Sequence, residues 1–145
     1  MQTVTLNETE LTKAFAALPD DDGAVSMLNL LRYRERAEYV GHPEQQPCSG
    51  REAYARYAKL AFPLVSAVGA RPVFIGICIG HVIAPPSERW DDLLLVEYPT
   101  RHAFVDALTS TAYRAISFHR TAALQDSRLI AFRGGTVSFP MPAAF

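Results

Sequence analysis

The pattern of this chain predicts a single α+β domain whose core runs β-α-β-β-α-β. Three observations carry that prediction. Strand-like apolar runs fall at 24–32, 71–80, 92–98 and 128–133, capped helical segments follow the first and third of them, and the length of 145 residues fits one domain. Hydrophobic residues make up 49% of the chain and charged residues 20%, a composition that supports a packed core and not a disordered segment.

The elements follow in order. Asn7-Glu8-Thr9-Glu10 reads as a capping box, and Leu11, Phe15 and Leu18 recur at helical spacing until Pro19 and Asp20-Asp21-Asp22-Gly23 end the segment. Residues 1–23 are therefore expected to form a helical appendage to a core domain over 24–133. The first strand is apolar on both parities, with Val25, Met27 and Leu31 on one and Leu28 and Leu30 on the other. A polar loop spans 34–48, a length that in a compact domain is often functional. Ser49-Gly50-Arg51-Glu52 is a second capping box, opening a helix that carries Tyr54, Tyr57, Ala58, Ala61, Val65 and Val68 on one face. Pro63 is expected to kink it, and Gly69 to stop it. Strands over 71–80 and 92–98 follow, joined through Pro85-Pro86-Ser87. Thr100 caps a further helix, a break near Thr109-Ser110-Thr111 leads to another reaching about Leu124, and a last strand covers 128–133. Gly134-Gly135 opens a tail over 134–145 that ends in Pro140-Met141-Pro142.

This order is the ferredoxin-like split unit, with an antiparallel sheet in spatial order 4-1-3-2. Two helices cover only one face of four strands. In the second strand Val73, Ile75, Ile77 and Ile79 alternate with Phe74, Gly76 and Cys78, so both faces are apolar. A bare second face would expose several hundred Å² of apolar surface, which monomers rarely carry, and its burial is worth about 25 cal/mol per Å². A two-fold homodimer, sheet against sheet, is the expected solution.

Several classes of function are disfavoured. The formal net charge is −1 and no basic stripe follows any element, so no nucleic-acid partner is expected. The start of the chain shows no signal-peptide pattern, and the apolar stretch Val73 to Ala84 is short and contains Gly76, Gly80 and His81. No membrane association and a cytoplasmic location are expected. Cys48 and Cys78 are accordingly expected to stay reduced. Cys48 has no evident partner base for a nucleophilic role. His42, His81, His102 and His119 show no metal-ligand spacing, and no glycine-rich phosphate loop precedes a helix, so neither metal nor cofactor is expected.

In the 4-1-3-2 order the end of the first strand lies beside the starts of the third and fourth. Asn29, Arg32 and Tyr33 are thereby expected to meet Trp90 and Arg128, bordered by the 34–48 and 81–90 loops, and these five residues are the expected ligand-binding group. Asn29 interrupts an apolar strand, and a buried amide requires hydrogen-bond partners, either a ligand or loop backbone. The forks of Arg32 and Arg128 suit a carboxylate or phosphate, or else ion pairs with Asp91, Asp92 or Asp126. His119 and Glu97 are the candidate acid/base groups, Glu97 alternatively pairing with Arg71 or Arg133. Tyr54 and Tyr57 are read as core residues or as pocket hydroxyls.

Met27-Leu28-Asn29-Leu30-Leu31-Arg32-Tyr33, Gly50-Arg51-Glu52-Ala53-Tyr54 and the run from Arg89 to Thr100 resemble domain-of-unknown-function family 1330, of the dimeric α/β-barrel superfamily. His119-Arg120 and Asp126-Ser127-Arg128-Leu129 extend the resemblance, which covers about 24–133. It implies a homodimer with sheet facing sheet, but no established reaction, because relatives in the superfamily range from cofactor-free monooxygenases and haem-degrading enzymes to isomerases and plain ligand binders. The expected function is small-molecule binding, with cofactor-independent catalysis on a small polar or aromatic acid as its enzymatic form. The alternative is a non-catalytic dimeric accessory module.

Overall fold

A computed structural model describes residues 2–134. Nine elements are present among them: α1 (Glu8–Ala16), β1 (Val25–Tyr33), α2 (Gly50–Ala67), β2 (Arg71–Ile77), β3 (Asp92–Tyr98), α3 (Arg101–Thr109), α4 (Thr111–Ile116), α5 (Phe118–Ala123) and β4 (Leu124–Phe132). The sheet is four-stranded and antiparallel, in the order β2-β3-β1-β4. This is the ferredoxin-like fold with an additional N-terminal helix. The tail expected beyond Gly134 lies outside the described residues. No described helix is long and apolar enough to cross a membrane.

Local chemistry places the helix ends. Asn7 accepts from the Glu10 amide while the Glu10 carboxylate accepts from the Asn7 amide, and Ser49 and Glu52 repeat the arrangement at α2. α2 runs through Pro63 to a Schellman-type end: Gly69, at φ +90°, donates to the Ser66 carbonyl, and Ala70 donates to that of Val65. Gly50 is required for a different reason. Its amide donates to the Arg34 carbonyl at 3.0 Å, and a Cβ there would run into that carbonyl and into the Ala123 oxygen.

Three boundaries differ from expectation. β2 stops at Ile77, so Cys78 lies just past the strand; its amide still reaches the Asp91 carbonyl at 2.7 Å before the chain leaves the ladder. The single helix expected up to Leu124 is two short ones, α4 and α5, divided at Ser117. β4 begins at Leu124, four residues before the expected Arg128. The polar run Gln125-Asp126-Ser127 reads as loop, yet Asp126 and Ser127 pair with Arg32 and Leu31 of β1.

The chain before α1 satisfies the outer edge of β4. Ser127 donates its amide to the Thr3 carbonyl at 2.7 Å, and Thr3 donates to Asp126 Oδ1 at 2.8 Å, so the segment acts as a short strap along an otherwise open edge. α1 itself has no buried residue. It is held by an edge-on contact of Phe15 with Phe104 at 5.7 Å and by Arg101, which donates to the carbonyls of Phe15 and Leu18.

The helical layer covers the face bearing Val25, Met27, Leu31 and Tyr98, all buried. By alternation the opposite face carries Leu28, Leu30, Leu93, Leu95 and Ile130, with Phe74 and Phe132 beside them. Nothing in the described chain covers that face. The edge strand β2 goes further than expected: Ile75 and Ile77, on the helix side, are 69% and 71% exposed, because β2 lies beyond the helical layer.

Candidate functional site

A cavity of about 670 Å³ lies under α1, between the helix-facing side of β1 and β4 and the helices α3 to α5. Its floor is Met27, Asn29, Leu129 and Ala131. Tyr98, Phe104 and Leu108 line one side, and Leu11, Phe15 and Leu18 of α1 form the roof with Thr3 to Leu6. Such an apolar space with a few placed polar groups has the character of a small-molecule site.

The polar groups come from separate elements. Asn29 stands opposite Leu94 and Leu129, and its Nδ2 donates to the Leu94 carbonyl at 3.2 Å and more weakly to that of Met27 at 3.4 Å. Its Oδ1 accepts no hydrogen bond among the described residues. Tyr57 of α2 and Tyr113 of α4 share a hydroxyl hydrogen bond of 2.7 Å. Arg120 donates to the Val4 carbonyl at 2.7 Å and to Ser127 Oγ at 3.4 Å. Burial pushes the Tyr57 phenol well above its ordinary range, and that of its neighbour Tyr54 up to about 12. Both therefore stay protonated at neutral pH. The chemistry available here is hydrogen bonding and orientation.

Of the five residues expected to gather at one end of the sheet, only Asn29 lines this cavity. The pleat separates it from Arg128, which lies opposite Leu30 on the other face. The expected meeting of Asn29 with Trp90 and Arg128 does not occur. Arg128 instead pairs with Asp126 at 2.7 Å and stacks over the Trp90 ring at 5.1 Å. Trp90 is buried at the mouth of the β2–β3 hairpin, donating through its amide to His81 Nε2 and through its indole to Glu88. These residues border a second, open crevice of about 590 Å³. Tyr33 is committed elsewhere: its hydroxyl donates to Asp92 at 2.7 Å, Asp92 is held by both Arg51 Nη atoms, and the Arg51 guanidinium lies 4.6 Å above the Tyr33 ring. Arg32 makes no ion pair or hydrogen bond through its guanidinium among the described residues.

The two acid/base candidates lie outside the cavity. Glu97 pairs with Arg71 at 3.0 Å, one of the two structural partners considered for it. His119 is buried under the 34–48 loop, where its Nδ1 meets the Tyr39 hydroxyl at 2.7 Å. Phe118 stacks on His42 at 3.8 Å, and Arg56 binds the Gln46 carbonyl, so this long loop is pinned to α2 and α5. Burial, then the nearby Arg56 and His42, holds the His119 imidazole below its ordinary value of 6.5. A depressed folded-state value means stability that is present above 6.5 and lost as pH falls through the folded value, since protonation places a charge in a buried site beside Arg56. Urea denaturation at pH 7.5 and pH 5 is expected to show a loss of stability in wild type that His119→Asn reduces; equal losses in both would remove His119 from this account.

Arg120, Tyr113, Ser127 and residues 3–18 are the site residues that sequence reasoning did not assign. Tyr57, weighed between core and pocket, lines the cavity; Tyr54 does not.

The fold and the cavity set the frame for comparison with known proteins. No protein-family profile matches the chain, and no curated protein matches it. The crystal structure of the RPA0582 protein of unknown function from Rhodopseudomonas palustris is 34% identical, covers 94% of this chain and 99% of that one, and superposes with a TM-score of 0.82. The methylated form of RPA0582 matches at 35% identity over 93% of this chain and 96% of that chain, again at 0.82. The chain belongs to the RPA0582 family. More distant structures share the fold alone: a dimeric protein of unknown function with a ferredoxin-like fold from Bacteroides fragilis has 13% identity over 77% of this chain and 97% of that one, with a TM-score of 0.51. A dabb family protein from Mesorhizobium loti has 12% identity over 79% and 99%, with a TM-score of 0.50. The RPA0582 match reaches well beyond the 24–133 core, because 94% coverage of this chain takes in much of the N-terminal segment that roofs the cavity.

Proposed function

We propose that this RPA0582-family protein binds a small organic molecule in the cavity under α1 and acts as a homodimer joined through the bare face of its sheet. The observation that carries the binding reading is the cavity of about 670 Å³, in which an apolar wall surrounds Asn29, a tyrosine hydroxyl pair and Arg120, with Arg114 at the rim. The protonated Tyr57 phenol and the Asn29 amide favour a binding and orienting role; the carboxylate in the described lining, Glu8, is exposed and paired with Arg114. The homodimer reading is supported by the apolar open face and by β2, whose Phe74, Ile75 and Ile77 are all more than half exposed. A ferredoxin-like protein of the same fold is described as dimeric.

A thermal-shift screen of small aromatic and aliphatic molecules tests the binding reading. Wild type is expected to be stabilised by a subset of them, and a ligand at 100 times its Kd contributes about 2.7 kcal/mol. Asn29→Ala removes one polar anchor and is expected to weaken those ligands about tenfold. A broad library that leaves the wild-type melting temperature unmoved argues for the accessory-module alternative.

A further inference from the structure

Arg120 sits on α5 with its guanidinium in the wall of the cavity, half-buried. Its hydrogen-bond partners among the described residues are two neutral oxygens, the Val4 carbonyl and Ser127 Oγ. No carboxylate pairs with it among the described residues. The other arginine in the described lining has an acidic partner: Arg114 at the rim pairs with Glu8 at 3.3 Å. A partly desolvated cation without a counter-ion is unusual, and a guanidinium has five donors, of which two are engaged here.

The surroundings favour an anion with an apolar body. The Arg120 charge reaches Tyr57 in the cavity wall, where it opposes the upward push that burial gives the phenol. Beyond these groups the walls are Phe104, Leu108, Met27 and Leu129, which suit an aromatic or branched hydrocarbon body. The fork geometry of arginine matches a carboxylate better than a hydroxyl or an amide.

We propose that the ligand is an amphipathic monocarboxylate whose acid group docks on Arg120, with Ser127 alongside and its apolar body against Phe104 and Leu108. The assignment rests on the cavity-binding reading above. It moves anion recognition away from Arg128, which is already paired with Asp126 on the opposite face of the sheet. It also links binding to the N-terminal strap, because Arg120 holds the Val4 carbonyl with the same guanidinium that would meet the acid.

The test compares acids with their neutral isosteres at pH 7.5: 2-naphthoate against 2-naphthamide, and 3-phenylpropionate against its amide, by calorimetry on the full chain. Wild type is expected to bind each acid at least tenfold more tightly than its amide. Arg120→Gln is expected to erase that ratio, and Arg120→Lys to restore part of it. Amides that bind as tightly as the acids in wild type overturn the anion assignment and leave the cavity reading standing; this comparison needs no variant to fold. An acid preference that survives in a folded Arg120→Gln protein overturns the role of Arg120. Failure of both acids and amides to bind counts against both readings.

Discussion

Leu95→Asp is expected to turn a dimer into a folded monomer. Leu95 stands at the centre of the open face, opposite Leu28 of β1 and Phe74 of β2. In a lone protomer that face meets water, so the carboxylate costs the fold little. In a two-fold interface the substitution enters twice and places two unpaired carboxylates in an apolar contact. At a few kcal/mol for each buried charge, the dimer dissociation constant is expected to rise about a thousandfold or more. Sedimentation at micromolar concentration reads the outcome: wild type as a dimer, the variant as a monomer, with unchanged far-ultraviolet circular dichroism. A wild-type monomer under those conditions contradicts the inference from the bare face. A variant that remains dimeric shows that the contact lies elsewhere, for example along the exposed edge of β2.

The second large effect concerns the roof of the cavity. Removing residues 1–23 takes away the strap on β4 and the whole of α1, including Leu11, Phe15 and Leu18. What remains is an apolar trough between β4 and α3, open to water. Every ligand that stabilises the full-length protein is expected to lose its effect on the truncated one, because the site has lost a wall and not one contact. Stability itself is expected to fall by about 2–3 kcal/mol, the scale for two half-buried large side chains, Phe15 and Leu18. Urea denaturation measures the second quantity and ligand-induced shifts the first. Undiminished ligand shifts in the truncated protein place the site outside this cavity, with the crevice beside Trp90 as the next place to look.

Much of the fold was legible along the chain because its signals are local. The capping boxes at Asn7 and Ser49 and the cap at Thr100 depend on a side chain reaching an amide three residues on, and all three form. The bounds of β3 follow from the apolar run Leu93 to Val96 between Asp92 and Tyr98. The boundary missed at β4 has an equally physical cause: Asp126 and Ser127 are polar, and their place in a strand comes from pairing with Arg32 and Leu31 of β1, with Thr3 adding partners on the outer edge.

The site was less legible. Asn29 stood out as a polar residue in an apolar strand, and it does line the cavity. Its expected companions were chosen by which strand ends lie together, but strand ends put neighbours on both faces of a sheet. Parity then separates Asn29 from Arg128, and specific partners commit Tyr33 to Asp92 and Trp90 to His81 and Glu88. Arg120 entered only as part of the His119-Arg120 pair that extends the family resemblance, and nothing along the chain marked it as a cavity residue.

By itself, the sequence determined the order and ends of most elements, the antiparallel sheet and its two apolar faces, since each of these depends on periodicity and short-range hydrogen bonds. Only the tertiary structure decided where a cavity forms. The cavity is bounded by residues 3–18, by one face of β1 and β4, and by helices α3 to α5, and enclosure is a property of elements distant in sequence meeting in space. The same holds for charge: whether an arginine is spent on an aspartate, as Arg128 is, or lines a cavity while bound to neutral oxygens, as Arg120 does, depends on which neighbours the fold delivers.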